Sequence, residues 1–191
     1  MTKVAVVFHS RFGHTAKQAL AVYEGVASVA ETEARLIVAA DADKQWDFLA
    51  AADAIIFGCP TYMGSASAEF KKFMEASSKV WRDMGWRNKV AAGFTNSGSQ
   101  HGDKLSTLMQ LALYAMQHGM VWVGVDLMPG NNSTQGSVSD LNRHGAWLGA
   151  MAQSNVDQGA DVQPGQADLD TARHLGKRVA EIASQFVRGR V

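Results

Sequence analysis

Val6-Val7-Phe8-His9-Ser10-Arg11-Phe12-Gly13-His14-Thr15-Ala16-Lys17-Gln18-Ala19 is the stretch that decides the fold. An apolar run stops at a serine, and a glycine and a threonine then open a helical pattern. Strand, hydroxyl-rich turn and helix is an arrangement that holds a terminal phosphate. Backbone N–H groups of the first helical turn converge on the anion, the helix dipole favours it, and Ser10 and Thr15 add hydroxyl donors. The stretch has neither the Walker lysine nor a G-x-G-x-x-G pattern, which disfavours P-loop nucleotides and Rossmann dinucleotide binding. Taken alone, it also reads as an ordinary strand–turn–helix in which Ser10 and Thr15 only cap the helix.

Working outward, apolar runs alternate with helical patterns along the whole chain, the signature of a parallel sheet flanked by helices. Strands are expected at about Lys3–Phe8, Glu33–Val38, Asp53–Gly58, Lys89–Phe94 and Met120–Val125. Helices are expected at about 14–30, 46–52, 67–80, 104–118 and 166–188. Asp53-Ala54-Ile55-Ile56-Phe57-Gly58 is dense in apolar residues, as a central strand buried on both faces should be. The fold class is therefore α/β, a doubly wound five-stranded parallel sheet. In the flavodoxin-like order 2-1-3-4-5, a ligand is expected at the C-terminal ends of strands one, three and four.

Residues 126–165 exceed that minimal fold. They are rich in Gly, Asn, Ser and Gln yet carry Leu127, Met128, Leu141, Trp147, Leu148 and Met151, and only Ala146–Ala152 has a helical pattern. An ordered excursion after strand five, covering a site or an interface, is expected. No linker or repeat divides residues 1–191, which read as one domain.

With 191 residues, 47% of them apolar, the chain can bury a sizeable core. Its 18 basic and 18 acidic side chains balance, so the basic excess of a nucleic-acid binder is missing. One cysteine forms no internal disulfide, and six scattered histidines show no metal-ligand spacing. No leader and no membrane-spanning run is evident, which makes a cytoplasmic protein without membrane insertion the simplest expectation.

Two further loops carry chemistry. Gly58-Cys59-Pro60-Thr61-Tyr62-Met63-Gly64-Ser65 offers aromatic and thioether faces beside a glycine that permits close backbone approach. Cys59, at the end of a buried strand with no second cysteine, reads as a packed core residue rather than a redox thiol. Thr95-Asn96-Ser97-Gly98-Ser99-Gln100-His101-Gly102 presents several donors. Such donors suit the pyrimidine edge of a flavin, where they would stabilise the reduced anion.

The spacing of the first loop resembles the FMN-phosphate loop of flavodoxin-like proteins. Together with Gly58–Gly64, Thr95–Ser99, Gln117-His118-Gly119-Met120-Val121 and Arg143-His144-Gly145-Ala146-Trp147, it resembles the WrbA family of NAD(P)H:quinone oxidoreductases. That resemblance implies bound FMN. Ser10, Arg11, Phe12, Gly13, His14 and Thr15 would hold the phosphate. Pro60, Thr61, Tyr62, Met63 and Gly64 would line the ring, and Thr95, Asn96, Ser97, Gly98, Ser99 and Gln100 would meet its polar edge. Phe12 would serve the nicotinamide site, Trp81 would pack over the substrate pocket, and His118 would be the catalytic histidine beside the ring, often contributed by a neighbouring subunit. By pattern alone, Trp81 could instead cover the core at a helix end. His118, just before Gly119, could be a protonated C-terminal cap.

The resemblance further implies two-electron, ping-pong reduction of a quinone by NADH or NADPH. The apolar side chains of the excursion, with Trp81 and Trp86 on a segment that a lone sheet would leave partly exposed, point to a homo-oligomer, expected to be a tetramer. The resemblance leaves open the physiological acceptor and the preferred nucleotide. Two alternatives stand beside it: an electron-carrier flavodoxin passing single electrons between proteins, and a non-catalytic regulatory flavodoxin-like protein. Carriers dock through strongly charged surfaces, and a chain of zero net charge argues against that role.

Overall fold

A computed structural model describes residues 1–189; Arg190 and Val191, inside the domain bounds expected above, lie outside the described residues. In chain order the elements are β1 (Thr2–Phe8), α1 (His14–Ala27), β2 (Thr32–Val38), a 3-10 turn (Ala39–Lys44), α2 (Trp46–Ala51) and β3 (Ala54–Tyr62). There follow β4 (Ser65–Ala66), α3 (Ala68–Ala76), α4 (Ser78–Arg82), β5 (Val90–Ser97), α5 (Lys104–Gln117), β6 (Val121–Trp122), β7 (Ala150–Gln153) and α6 (Gln166–Gly189). The expected helix over 67–80 is thus two helices, with Ser77 between them.

The parallel sheet runs β2-β1-β3-β5, and both β6 and β7 pair with β5. Side chains alternate faces along a strand, and here both faces are apolar. Val4, Val6 and Ile56 pack beneath α1 and α6 with Val22, Leu175 and Val179. Ala5, Val7, Ile55 and Phe57 pack beneath α2, α3 and α5 with Leu49, Phe70, Phe73 and Leu111. The α1–α6 contact is set by glycine: a Cβ on Gly25 would lie 1.9 Å from the Arg173 carbonyl oxygen, and one on Gly176 would lie 2.0 Å from that of Val22.

The fifth position of the sheet is one strand in two pieces. Val121 and Trp122 pair with Val90 and Ala91, the chain leaves over residues 123–149, and Ala150–Gln153 return to pair with Phe94–Ser97. The excursion therefore begins inside strand five and not after it. Ala146–Ala152 do not form the helix expected of them, because the buried alanines 150 and 152 fill the narrow space beside β5. Tertiary packing overrides the helix preference of alanine.

Polar ties hold the excursion down. Asn142, buried, receives the Ala146 N–H on Oδ1 at 2.9 Å, donates from Nδ2 to the Leu127 carbonyl at 2.7 Å, and gives its N–H to Thr171 Oγ1 at 2.8 Å. Arg143 clamps Asp168 at the start of α6 with two 2.7 Å bonds, and Asp168 also accepts the Gln153 N–H at 2.9 Å. Burial pushes the Asp168 carboxyl up, but His144, 3.4 Å away, and the hydrogen bonds from Arg143 and Gln153 together hold it below its ordinary value. The Arg143-His144 pair thus anchors the fold. Of the excursion's apolar residues, Leu127, Leu148 and Met151 pack on the core, while Met128, Leu141 and Trp147 are exposed. Among the described residues no helix is long and apolar enough to cross a membrane.

Candidate functional site

A cavity of about 490 Å³ opens at the C-terminal ends of β1, β3 and β5. Four stretches wall it: Ser10, Phe12, His14 and Thr15; Pro60 and Tyr62; Asn96, Ser97 and Gly98; and Ser154, Val156, Gln158 and Gly159.

The first wall is built as an anion cradle. Gly13 takes φ +89°, a conformation L side chains rarely adopt, and donates its N–H to Ser10 Oγ at 3.1 Å. Among the described residues the backbone N–H groups of Arg11, Phe12, His14 and Thr15 meet no protein acceptor. They stand at the start of α1, where the dipole adds positive potential. No carboxylate lines the cavity. Free N–H groups, the Ser10 and Thr15 hydroxyls and the absence of acid in the lining make a donor set that fits the phosphate dianion of FMN.

The second wall is a tight hairpin. Thr61–Tyr62 pair antiparallel with Ser65–Ala66, and Met63 (φ +50°) and Gly64 (φ +73°) form the turn. Positive φ at both central positions is the hairpin turn that matches strand twist. It projects Met63 fully into solvent and sets Tyr62 on the cavity wall. Burial raises the Tyr62 phenol above its ordinary pKa, so the side chain stays neutral.

The third wall is tied from behind. Thr95 Oγ1 donates to the Cys59 carbonyl at 2.7 Å, and the hydroxyls of Thr61, Thr95 and Thr107 form a buried chain at 2.8 and 2.9 Å. Thr61 and Thr95 therefore engage their hydroxyls inside the protein, and neither lines the cavity. Burial pushes the Cys59 thiol up to about 12, in keeping with an inert core residue.

The fourth wall escaped the sequence reading. After β7 the chain crosses over the phosphate loop: His14 Nε2 donates to the Gln158 carbonyl at 2.8 Å, and Lys17 Nζ to that of Asp161 at 3.1 Å. A Cβ on Gly13 would come within 2.9 Å of Ala160. The available signal was a polar, glycine-containing run after the alternation Ala150–Gln153, the fifth loop at the carboxyl edge of the sheet.

Trp81 and His118 are elsewhere. The 14-residue α5 runs back from the cavity end to the opposite edge of the sheet, roughly 20 Å at 1.5 Å per residue. There His118 and Trp81 line a second cavity with Lys71, Met74, Ser77 and Tyr114. Ser77 Oγ donates to the Met74 carbonyl and accepts from Tyr114, so His118 Nε2, 3.0 Å away, must donate to it. Its Nδ1 is then a bare, buried acceptor without a partner among the described residues. Burial lowers the His118 pKa to about 4, which reverses the expectation of a protonated cap: desolvation outweighs the helix dipole. Trp86, expected to be partly exposed, is fully buried with its ring 4.4 Å from that of His118, while Trp81 is half exposed. Within one chain neither Trp81 nor His118 joins the first cavity.

The model of the family described as NADPH-dependent FMN reductase matches residues 20–135. The flavodoxin FldP of Pseudomonas aeruginosa is 42% identical over 97% of this chain and 99% of its own. The NAD(P)H dehydrogenase (quinone) of Syntrophobacter fumaroxidans is 33% identical with the same coverage. Among solved structures, the flavodoxin, WrbA-like protein from Agrobacterium tumefaciens superposes with a TM-score of 0.74 at 42% identity, covering 97% of this chain and 99% of that one. An archaeal flavodoxin, at 20% identity and a TM-score of 0.68, shares the fold. With its phosphate cradle, strand order and relatives in agreement, the chain belongs to the flavodoxin-like WrbA family, as an oxidoreductase whose cofactor is FMN.

Proposed function

We propose that this chain, as one FMN-binding domain, catalyses two-electron reduction of a quinone by NADH or NADPH. The balance is NAD(P)H, a proton and quinone giving NAD(P)⁺ and quinol. The observation that carries this reading is one carboxylate-free cavity with an exposed aromatic mouth, Phe12 at 66% and Tyr62 at 36% exposure, and no second nucleotide fingerprint in the chain. When bound, FMN would supply the hydride-transfer chemistry between nicotinamide and quinone. The protein anchors the phosphate on Ser10, Thr15 and the N–H groups of α1. Phe12 and Tyr62 offer flat faces over which nicotinamide and quinone alternate in a ping-pong cycle.

We further propose a homo-oligomer, a tetramer, in the cytoplasm. Leu105, Met109, Leu113 and Met116 form an exposed apolar stripe on α5, and Trp81 stands exposed at the far end of the sheet. A helix length separates His118 and Trp81 from their own cavity, so they reach a flavin only across a subunit contact, from a neighbour.

The name of the 42%-identical Pseudomonas relative favours a second reading, a flavodoxin that carries single electrons between proteins. Rapid mixing with NADH or NADPH separates the two. The enzyme bleaches its flavin without an added reductase, a quinone restores the colour, and double-reciprocal lines are parallel. A flavin that bleaches only when a separate reductase is added establishes the carrier.

A further inference from the structure

Lys104 opens α5 and is 1% exposed, yet it pairs with no carboxylate within 4 Å among the described residues. Its placement is costly twice over, since burial disfavours the ammonium and the helix N-terminus repels a cation. Arg143 and Asp168, the charges that act on it from the excursion and α6, are bound to each other. What surrounds Nζ are oxygens of the loop that continues from the third cavity wall: Ser97 Oγ at 2.9 Å, the Ser99 carbonyl at 3.0 Å and the Gln100 carbonyl at 2.7 Å. Three acceptors match the three protons of an ammonium. The planar trans peptide has a further effect. Drawing the Ser99 and Gln100 carbonyls toward Lys104 turns the following N–H groups, of Gln100 and His101, the opposite way. Those two N–H groups meet no acceptor among the described residues.

We propose that Lys104 is a positioning residue for the flavin: it turns the donors of the Ser97–His101 loop outward and sets a buried positive charge behind the wall that receives the pyrimidine edge, favouring the reduced anionic cofactor. This rests on FMN lying in the first cavity with its polar edge at that loop. Burial lowers the Lys104 pKa to about 8, so it is charged at neutral pH, and a nearby reduced flavin anion would stabilise that charge reciprocally.

The test compares Lys104→Gln, which keeps two donors without the charge, with Lys104→Arg, which keeps the charge. FMN affinity is titrated on apoprotein, and the midpoint potential is read by equilibration with a reference dye. In Lys104→Gln, oxidised FMN binds nearly as before and reduced FMN about tenfold more weakly, a midpoint lower by about 30 mV for a two-electron couple. The pH at which bound reduced FMN takes up its proton rises, while Lys104→Arg stays near the wild type in both. An unchanged midpoint in Lys104→Gln, or an equal fall in Lys104→Arg, overturns the role of the charge. If Lys104→Gln does not fold, Lys104→Arg decides alone, with a lowered midpoint overturning the proposal. Ser10→Ala is the control for cofactor placement: it weakens both redox forms together, and a Ser10→Ala protein with undiminished FMN affinity removes the flavin from this cavity.

Discussion

The two ends of the sheet carry the motifs of the family resemblance in opposite states. At the carboxyl end, the turns after β1, β3 and β5 leave their polar groups open: N–H groups of Arg11, Phe12, His14 and Thr15 without acceptors, and a cavity with no acid in its lining. At the amino end, Ser77, Tyr114 and His118 consume one another's hydrogen bonds beside Trp86 and Phe73, leaving the His118 Nδ1 and the Trp86 indole N–H unmatched among the described residues. The open end is organised to receive an anion and a flat ring. The closed end is organised as core, a helix length from the cavity of its own chain. Residue types alone do not separate these roles; hydrogen-bond bookkeeping does.

The sharpest way to break the contrast is at Trp86. Trp86→Ala removes a fully buried indole and costs about 3–5 kcal/mol of stability in denaturant unfolding. Trp86→Phe costs much less, because it also removes a buried N–H without an acceptor. In both variants the folded fraction keeps its FMN affinity; weakened binding to that fraction would show that the two ends are coupled.

Next comes acid. His118 sits below its unfolded value near 6.5, so the unfolded chain takes up the proton first. Stability from this group is complete above pH 6.5 and is lost as pH falls toward about 4. The loss is on the order of 3 kcal/mol at 1.36 kcal/mol per unit. Comparing wild type with His118→Gln by urea unfolding across that window isolates it; parallel stability curves would show that the imidazole titrates freely.

The smallest effects belong to single hydroxyls at the open end. Ser10→Ala and Thr15→Ala each weaken FMN by roughly 1–3 kcal/mol, while riboflavin, which has no phosphate, loses little in either variant. Equal penalties for FMN and riboflavin would move the phosphate elsewhere.

Much of this was legible in the chain. Alternation and apolar density place β1, β3 and β5, and Ser10, Gly13 and Thr15 mark the turn that leads into α1 beside the cavity, because such constraints act over a few neighbouring residues. The return strand Ala150–Gln153 was not legible: four residues with two alanines carry too little periodicity, and their strand character comes from β5. Missing it hid Ser154–Gly159 from the cavity lining. Lys104 escaped for a related reason, since nothing local distinguishes a buried lysine from a solvated one at a helix start. The reversal of His118 follows from Trp86 and Tyr114 closing over it, a contact across 32 residues of sequence for one ring and one helical turn for the other.

The interrupted fifth strand has a consequence for how this fold tolerates change. Each piece finds its own register on β5, at Val90–Ala91 and at Phe94–Ser97, so the length of chain between them does not set the alignment of either. Closing a longer loop costs only about 0.6 kcal/mol per doubling. Residues 131–137, exposed for most of their length, are thus a graft point where a peptide or a small domain can be spliced in while the cofactor pocket keeps its shape.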